Sequence, residues 1–167
     1  MEHLWSPWRA KHIDRITEGP TEEEMQDERS LFERLAAEEE DERNLIVWRG
    51  RLVFVIMNLY PYNNGHLMIV PYRREGDFAA LTLEEQHEIS ETIARCTRWL
   101  RRALNPDGFN VGMNLGAAAG AGIPDHVHVH VVPRWSGDTN FMPSIANTKV
   151  LPEAIGDTYR KIRAAID

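Results

Sequence analysis

Cysteine is nearly missing: Cys96 is the one thiol in 167 residues, which excludes an internal disulfide framework. Long apolar runs are missing too. No stretch approaches the roughly 18 apolar residues of a membrane helix, and the N-terminus lacks the basic and apolar segments of a secretory signal. The expectation is a cytoplasmic protein with no membrane partner. Positive charge is in deficit, with 19 Lys and Arg against 26 Asp and Glu. The net charge of −7 argues against nucleic acid as a partner. It does not exclude a nucleotide, because backbone N–H groups hold phosphate without any net positive charge. Low-complexity linkers and internal repeats are absent, and the length suits a single domain over residues 1–167. Within it, residues 1–43 read as an N-terminal arm and acidic helix, 44–135 as the core, and 136–167 as a C-terminal segment and helix.

Residues 1–20 carry Trp5, Pro7, Trp8 and Arg9, too apolar for a free tail. They suit either a plug at a core edge or a dimer contact. Residues 21–42 are strongly acidic around Met25, Leu31, Phe32 and Leu35, the pattern of a surface helix with a solvated face. Leu45 to Trp48 and Leu52 to Met57 flank Arg49-Gly50-Arg51 and predict a hairpin; Leu67 to Val70 predicts a third strand. Thr82-Leu-Glu-Glu85 is a capping-box pattern. It opens a helix in which Ile89, Ile93, Cys96, Leu100 and Leu104 share one face, with Cys96 as a small core residue and His87 on the surface. Phe109 to Asn114 predicts a strand, Pro152 a helix start, and Ile155, Tyr159, Ile162 and Ile166 one stripe of a last helix. Strands paired as a meander around one long helix give an α+β class.

The stretch with chemistry in it is His126-Val127-His128-Val129-His130-Val131-Val132. Strict alternation predicts a strand with Val127, Val129 and Val131 on a core face and the three histidines on the other. Three readings compete for that second face. One is a solvent-facing strand that happens to carry histidines. Another is a metal site, although residues i and i+4 on a strand lie about 13 Å apart. The nearest acid downstream is Asp138, so no ligand follows closely to complete a set. The third is a nucleophilic histidine whose neighbours fix its tautomer and handle the leaving group. The glycine and alanine run from Gly116 to Gly122 leads straight into the motif and favours this third reading, since such a loop lets backbone N–H groups approach a phosphate.

On these residues the chain resembles the histidine triad (HIT) superfamily of nucleotide hydrolases and transferases. His126 to Val132 is that family's signature. Asn58-Leu-Tyr-Pro61-Tyr-Asn-Asn-Gly65-His66, followed by Leu67-Met-Ile-Val-Pro71, resembles its upstream strand pair. Gly112-Met-Asn114 and Gly116 to Pro124 resemble its phosphate-side loop. The opening Leu4-Trp-Ser-Pro-Trp-Arg9 and the stretch from Pro133 to Phe141 look most like the bacterial diadenosine tetraphosphate phosphorylase-like branch, so the resemblance covers nearly the whole chain.

The resemblance implies a HIT-like fold, a roughly five-stranded antiparallel sheet with one long helix plus terminal helices, paired into a homodimer. It implies that His128 takes a nucleotidyl group covalently, that His130 serves the leaving group, and that His126 and His66 orient them. Asn58 would contact ribose, Ile56 the base, Asn114 the phosphate or leaving group, and Gly120, Ala121 and Gly122 the phosphate side. The substrate implied is an adenine nucleotide, and no cofactor is expected. Family members that bind zinc do so through Cys-x-x-Cys and two histidines. Here Ser30-Leu-Phe-Glu33 and Arg74 stand at three of those positions, so no metal is expected either. Dinucleoside polyphosphate hydrolase, phosphorylase and purine nucleoside phosphoramidase share the triad, and a non-catalytic nucleotide-binding module would keep the same pocket. Phosphorylases of the branch tend to carry a serine where this chain has Ala121-Gly122-Ile123-Pro124, which leaves water open as the acceptor beside phosphate.

Overall fold

The computed structural model describes residues 29–138 and 151–167. The elements below belong to one compact unit, Leu31–Asp167. The apolar arm at 1–20, the first part of the acidic segment and the end of the Pro133 to Phe141 stretch lie outside the described residues.

Five strands form one antiparallel sheet: β1 (Ile46–Arg49), β2 (Val53–Met57), β3 (Leu67–Pro71), β4 (Gly108–Gly112) and β5 (Val129–Arg134), in the order β1-β2-β3-β5-β4. The hairpin predicted around Gly50 closes between β1 and β2, with Gly50 N–H donating to Val53 O at 2.8 Å. Leu45, expected to open β1, has φ +59° and stands outside the strand. The runs Val53-Phe-Val-Ile-Met57 and Leu67-Met-Ile-Val-Pro71 are buried at every position because the sheet is covered on both faces.

On one face Val53, Val55, Met57, Leu67, Ile69, Val127, Val129 and Val131 pack with the long helix α2 (Leu83–Leu104) and with Tyr159 and Ile162 of α3 (Ile155–Ala164). Phe54, Ile56, Met68 and Val70 point to the other face, where they meet Phe32 of α1 (Leu31–Ala37). The valine face of the motif is therefore core, as its alternation requires.

The predicted stripe of α2 holds, and Ile155, Tyr159 and Ile162 lie on α3, whereas Ile166 packs on the same core beyond its end. Ile89, Cys96 and Leu100 are buried on α2, with Ile93 and Leu104 partly buried against the same cluster, and His87 is exposed. Burial of Cys96 pushes its thiol pKa up, the state of an inert core thiol. Several boundaries differ from expectation, β4 among them, which runs Gly108–Gly112 instead of Phe109 to Asn114. The acidic segment is helical only over Leu31–Ala37 among the described residues; the chain bends at Glu38 and Glu39 and turns from Asp41 to Leu45. There Arg49 accounts for the stop: its guanidinium donates to Ala36 O at 2.7 Å, Glu38 O at 2.9 Å and Asp41 Oδ1 at 2.8 Å, taking up carbonyls that further helix would have used. The last helix begins at Ile155 with Ala154 as its cap, not at Pro152. Finally, β5 begins at Val129 instead of His126, because its pairing with β3 ends at Ile69 opposite Val129.

At the start of α2, Thr82 Oγ1 accepts from Glu85 N–H at 3.2 Å and Glu85 Oε2 accepts from Thr82 N–H at 2.7 Å. Arg73 grips the same carboxylate with Nε at 3.1 Å and Nη2 at 2.9 Å. The Arg73 guanidinium, aided by Thr82, holds the Glu85 carboxyl at about 2 against an ordinary 4.5. A depressed carboxyl pKa contributes stability that is present above its unfolded value and lost as pH falls toward its folded one. Glu85→Gln is therefore expected to unfold at lower urea than the parent at neutral pH. The gap should narrow as pH falls from 4.5 toward 2; a gap independent of pH in urea titrations would contradict this account.

Candidate active site

Four imidazoles lie together on the sheet face opposite α2. His66 opens onto β3, His130 sits on β5 opposite Met68, and His126 and His128 lead into β5. All four are buried: His66 and His126 fully, His128 to 6% and His130 to 7% exposure. A buried polar ring is costly unless its nitrogens are satisfied, and three of the four take backbone partners.

Those partners decide where each proton sits. Tyr62 N–H donates to His66 Nδ1 at 3.1 Å, so neutral His66 carries its proton on Nε2. That Nε2 lies 2.9 Å from His130 Nδ1, which must accept, leaving the His130 proton on Nε2. His128 Nδ1 is 2.9 Å from the His126 carbonyl, an acceptor only, so Nδ1 carries the proton and the lone pair is on Nε2. His126 Nε2 donates to Pro71 O at 2.8 Å. The His130 Nε2–H is buried and has no hydrogen-bond partner among the described residues. The His128 and His130 rings stand edge to face with centroids 4.9 Å apart. The arrangement thus offers an imidazole lone pair beside an unused N–H donor.

Burial disfavours the charged form of two of the rings. Burial, reinforced by repulsion from His128, pushes His130 down to about 4. Burial also lowers His126, against an opposing pull from the Pro71 carbonyl.

Two aromatic side chains bracket the row, and motif reading gave neither a place in the site. Phe32 lies 5.3 Å from both His126 and His128, and Tyr62 lies 4.6 Å from His66 and 5.5 Å from His130. Phe32 was legible as an apolar residue of an acidic segment, but nothing local says which partner it meets. Ile56 shares the Phe32 cluster and is therefore on the imidazole side of the sheet. Asn58 is half-buried; its N–H donates to His66 O at 2.9 Å and its Oδ1 accepts from Tyr60 N–H at 2.9 Å.

Asn114 lies two residues beyond the end of β4, half-buried, and its carboxamide makes no hydrogen bond among the described residues. In the Gly/Ala loop, Gly116 and Gly120 have φ +80° and +85°, the left-handed region that glycine enters at little cost. The N–H groups of Gly120 and Ala121 turn back onto Ala117 O and Gly116 O at 3.0 and 3.4 Å. The N–H of Gly122 makes no such bond among the described residues. No group of three His, Cys, Asp or Glu among the described residues is placed to hold a metal, and Arg74 is ion-paired with Asp125.

An antiparallel α+β sheet thus carries a row of hydrogen-bonded buried histidines that a glycine-rich loop leads into. The HIT domain model matches residues 39–137, and the chain belongs to the HIT domain family. It is 41% identical over 162 residues to the AP-4-A phosphorylase of Mycobacterium tuberculosis, covering 96% of this chain and 82% of the relative. The bis(5'-adenosyl)-triphosphatase of Saccharomyces cerevisiae is 29% identical over 91 residues, 54% of this chain and 44% of that protein. Among solved structures, a Hit-like protein of Bartonella henselae superposes with a TM-score of 0.61 at 22% identity, over 73% of this chain and 86% of its own.

His130 is expected to stay neutral well below the ordinary histidine value of 6.5 and to titrate only near pH 4. Its stabilising neutral state is intact above 6.5 and opposed by protonation as pH falls through that window. Imidazole resonances of His130 moving with a midpoint near 6.5 would refute the assignment.

Proposed function

We infer that the protein cleaves a dinucleoside polyphosphate of the diadenosine tetraphosphate kind through a nucleotidyl-histidine intermediate. The observation that carries this reading is the hydrogen bond from His128 Nδ1 to the His126 carbonyl, which aims the Nε2 lone pair beside the unused His130 Nε2–H. The 41% identity to an AP-4-A phosphorylase supports the substrate class.

In the first step His128 Nε2 forms a bond to the α-phosphorus and the bridging P–O bond breaks. The His130 Nε2–H hydrogen-bonds the departing oxygen, and ATP leaves. Positive charge that develops on the His128 ring is met by the His126 carbonyl through Nδ1–H, so the ring remains a good leaving group. In the second step an oxygen of phosphate or water attacks the phosphorus and the P–N bond breaks. Phosphate gives ADP as the second product; water gives AMP. The Gly122 N–H and the Asn114 carboxamide are the neutral donors available to the non-bridging oxygens. Ile56 and Phe32 offer an apolar wall to the base, and Asn58 a polar group to the ribose. The identity to a phosphorylase favours phosphate as acceptor.

His128→Ala should lose turnover by at least about three orders of magnitude while still binding nucleotide, because the covalent step alone is removed. Turnover within about tenfold of the parent would remove His128 as nucleophile. Products from diadenosine tetraphosphate, separated with and without phosphate, decide the acceptor: ATP with ADP for phosphorolysis, ATP with AMP for hydrolysis. Cleavage of an adenosine phosphoramidate with no action on dinucleoside polyphosphates would instead establish a phosphoramidase.

The same reading includes a homodimer. Strand β4 is at the sheet edge with Val111 at 45% exposure, a surface suited to a second copy. Light scattering at micromolar concentration should give twice the chain mass; a monomer mass would overturn the assembly.

A further inference from the structure

The nucleophile is not held by the sheet. Pairing of β3 with β5 ends at Val129, so His126, Val127 and His128 lie beyond the ladder. What holds them is the last residue of β3 and the chain that follows it. Val127 N–H donates to Glu75 O at 2.7 Å, and His126 Nε2 donates to Pro71 O at 2.8 Å. Arg74 is ion-paired with Asp125, the residue before the motif. Between Arg74 and Asp77 lies Gly76, and its neighbours are backbone atoms. A Cβ built there would stand 2.7 Å from Pro124 O, 3.1 Å from Asp125 Cα and 3.4 Å from the Asp125 carbonyl carbon. Gly76 is not among the residues with positive φ, so its backbone suits alanine and the close approach alone requires glycine.

We propose that Gly76 is a positioning residue for the nucleotidyl transfer, letting the loop after β3 clamp Pro124 to Val127 and thereby fix the His126 carbonyl that sets the tautomer and aim of His128. The inference rests on His128 being the nucleophile. A side chain at position 76 meets backbone and cannot be relieved by a rotamer change, so the 124–127 segment must move or its clamp must back away from it. The His126 carbonyl is then no longer fixed, and His128 loses the one acceptor that keeps its proton on Nδ1. A ring free to place its proton on Nε2 presents no lone pair to phosphorus for that fraction of the time. Misplacement of the remainder adds to the loss.

The test compares full-length Gly76→Ala with the parent in single-turnover cleavage of diadenosine tetraphosphate, alongside His128→Ala. Nucleotidyl-enzyme formation and kcat in Gly76→Ala should fall by about 10- to 100-fold, the scale of an ångström-level misplacement, with KM little changed. Imidazole nitrogen shifts should show His128 Nδ1 protonated in the parent and both tautomers populated in the variant, a signature that simple destabilisation does not produce. Parent-like rates, or slow rates with the parent tautomer retained, would overturn the proposal. If Gly76→Ala does not fold, Asp125→Asn removes the exposed ion pair and should shift rate and tautomer in the same direction by a smaller factor; no shift in either would also overturn it. Turnover retained in His128→Ala would reject the nucleophile itself, an outcome distinct from a silent Gly76→Ala.

Discussion

A neutral imidazole owns one N–H and one lone pair, so fixing the partner of one nitrogen fixes the chemistry of the other. Everything particular to this site follows from that constraint. The Tyr62 amide, the His126 carbonyl and the Pro71 carbonyl each take one nitrogen of a buried ring. Backbone groups cannot change protonation, so the orientation they impose is permanent. Burial supplies the other half: a charged imidazole would donate from both nitrogens and erase the distinction, and desolvation disfavours that state for His126 and His130. Neutrality and tautomer are thus properties of the fold, present before any ligand arrives.

The cost of the arrangement is concentrated on one atom. A buried donor without a partner is unfavourable by about 1–3 kcal/mol, and His130 Nε2–H is such a donor among the described residues. Rotating the ring away is not open to it, since Nδ1 is bound to His66 and Tyr62 stacks alongside. A ligand oxygen arriving at that atom recovers the penalty. The rigidity needed to hold the strain comes from β2 and β3, buried at every position between two apolar layers. Two-sided burial leaves no face toward which either strand can relax.

The parts of this design that were legible in the sequence are those encoded locally. Alternation of Val127, Val129 and Val131 with the histidines assigned both faces of the motif, and the Thr82 to Glu85 box set the start of the long helix to the residue. What escaped depends on contacts distant in sequence. The late start of β5 reflects Glu75 O taking the Val127 N–H that a neighbouring strand would have taken. The early end of α1 reflects Arg49 reaching back to Ala36 and Glu38. Phe32 and Tyr62 were readable as an apolar helix residue and a turn residue, and only the fold places one on each end of the histidine row.

The charge of the site sets a further condition on the proposed reaction. The net charge of −7 and the disfavoured charge on His126 and His130 give the long-range field little pull on a polyphosphate. Arg74, the cation nearest in sequence to the histidine clamp, is committed to Asp125. Attraction must then come from oriented dipoles at short range, the Gly122 N–H and His130 Nε2–H among them, which act only once phosphate oxygens are in place. Fixed dipoles of this kind favour the geometry in which charge gathers on the departing and non-bridging oxygens over any loosely held polyanion. They also release a nucleotide product more easily than a cluster of cations would. A histidine that must accept a nucleotidyl group and then surrender it to a second acceptor works best where neither bound state is trapped by unpaired opposite charge. Among the described residues, the groups proposed to line this site meet that requirement without charge.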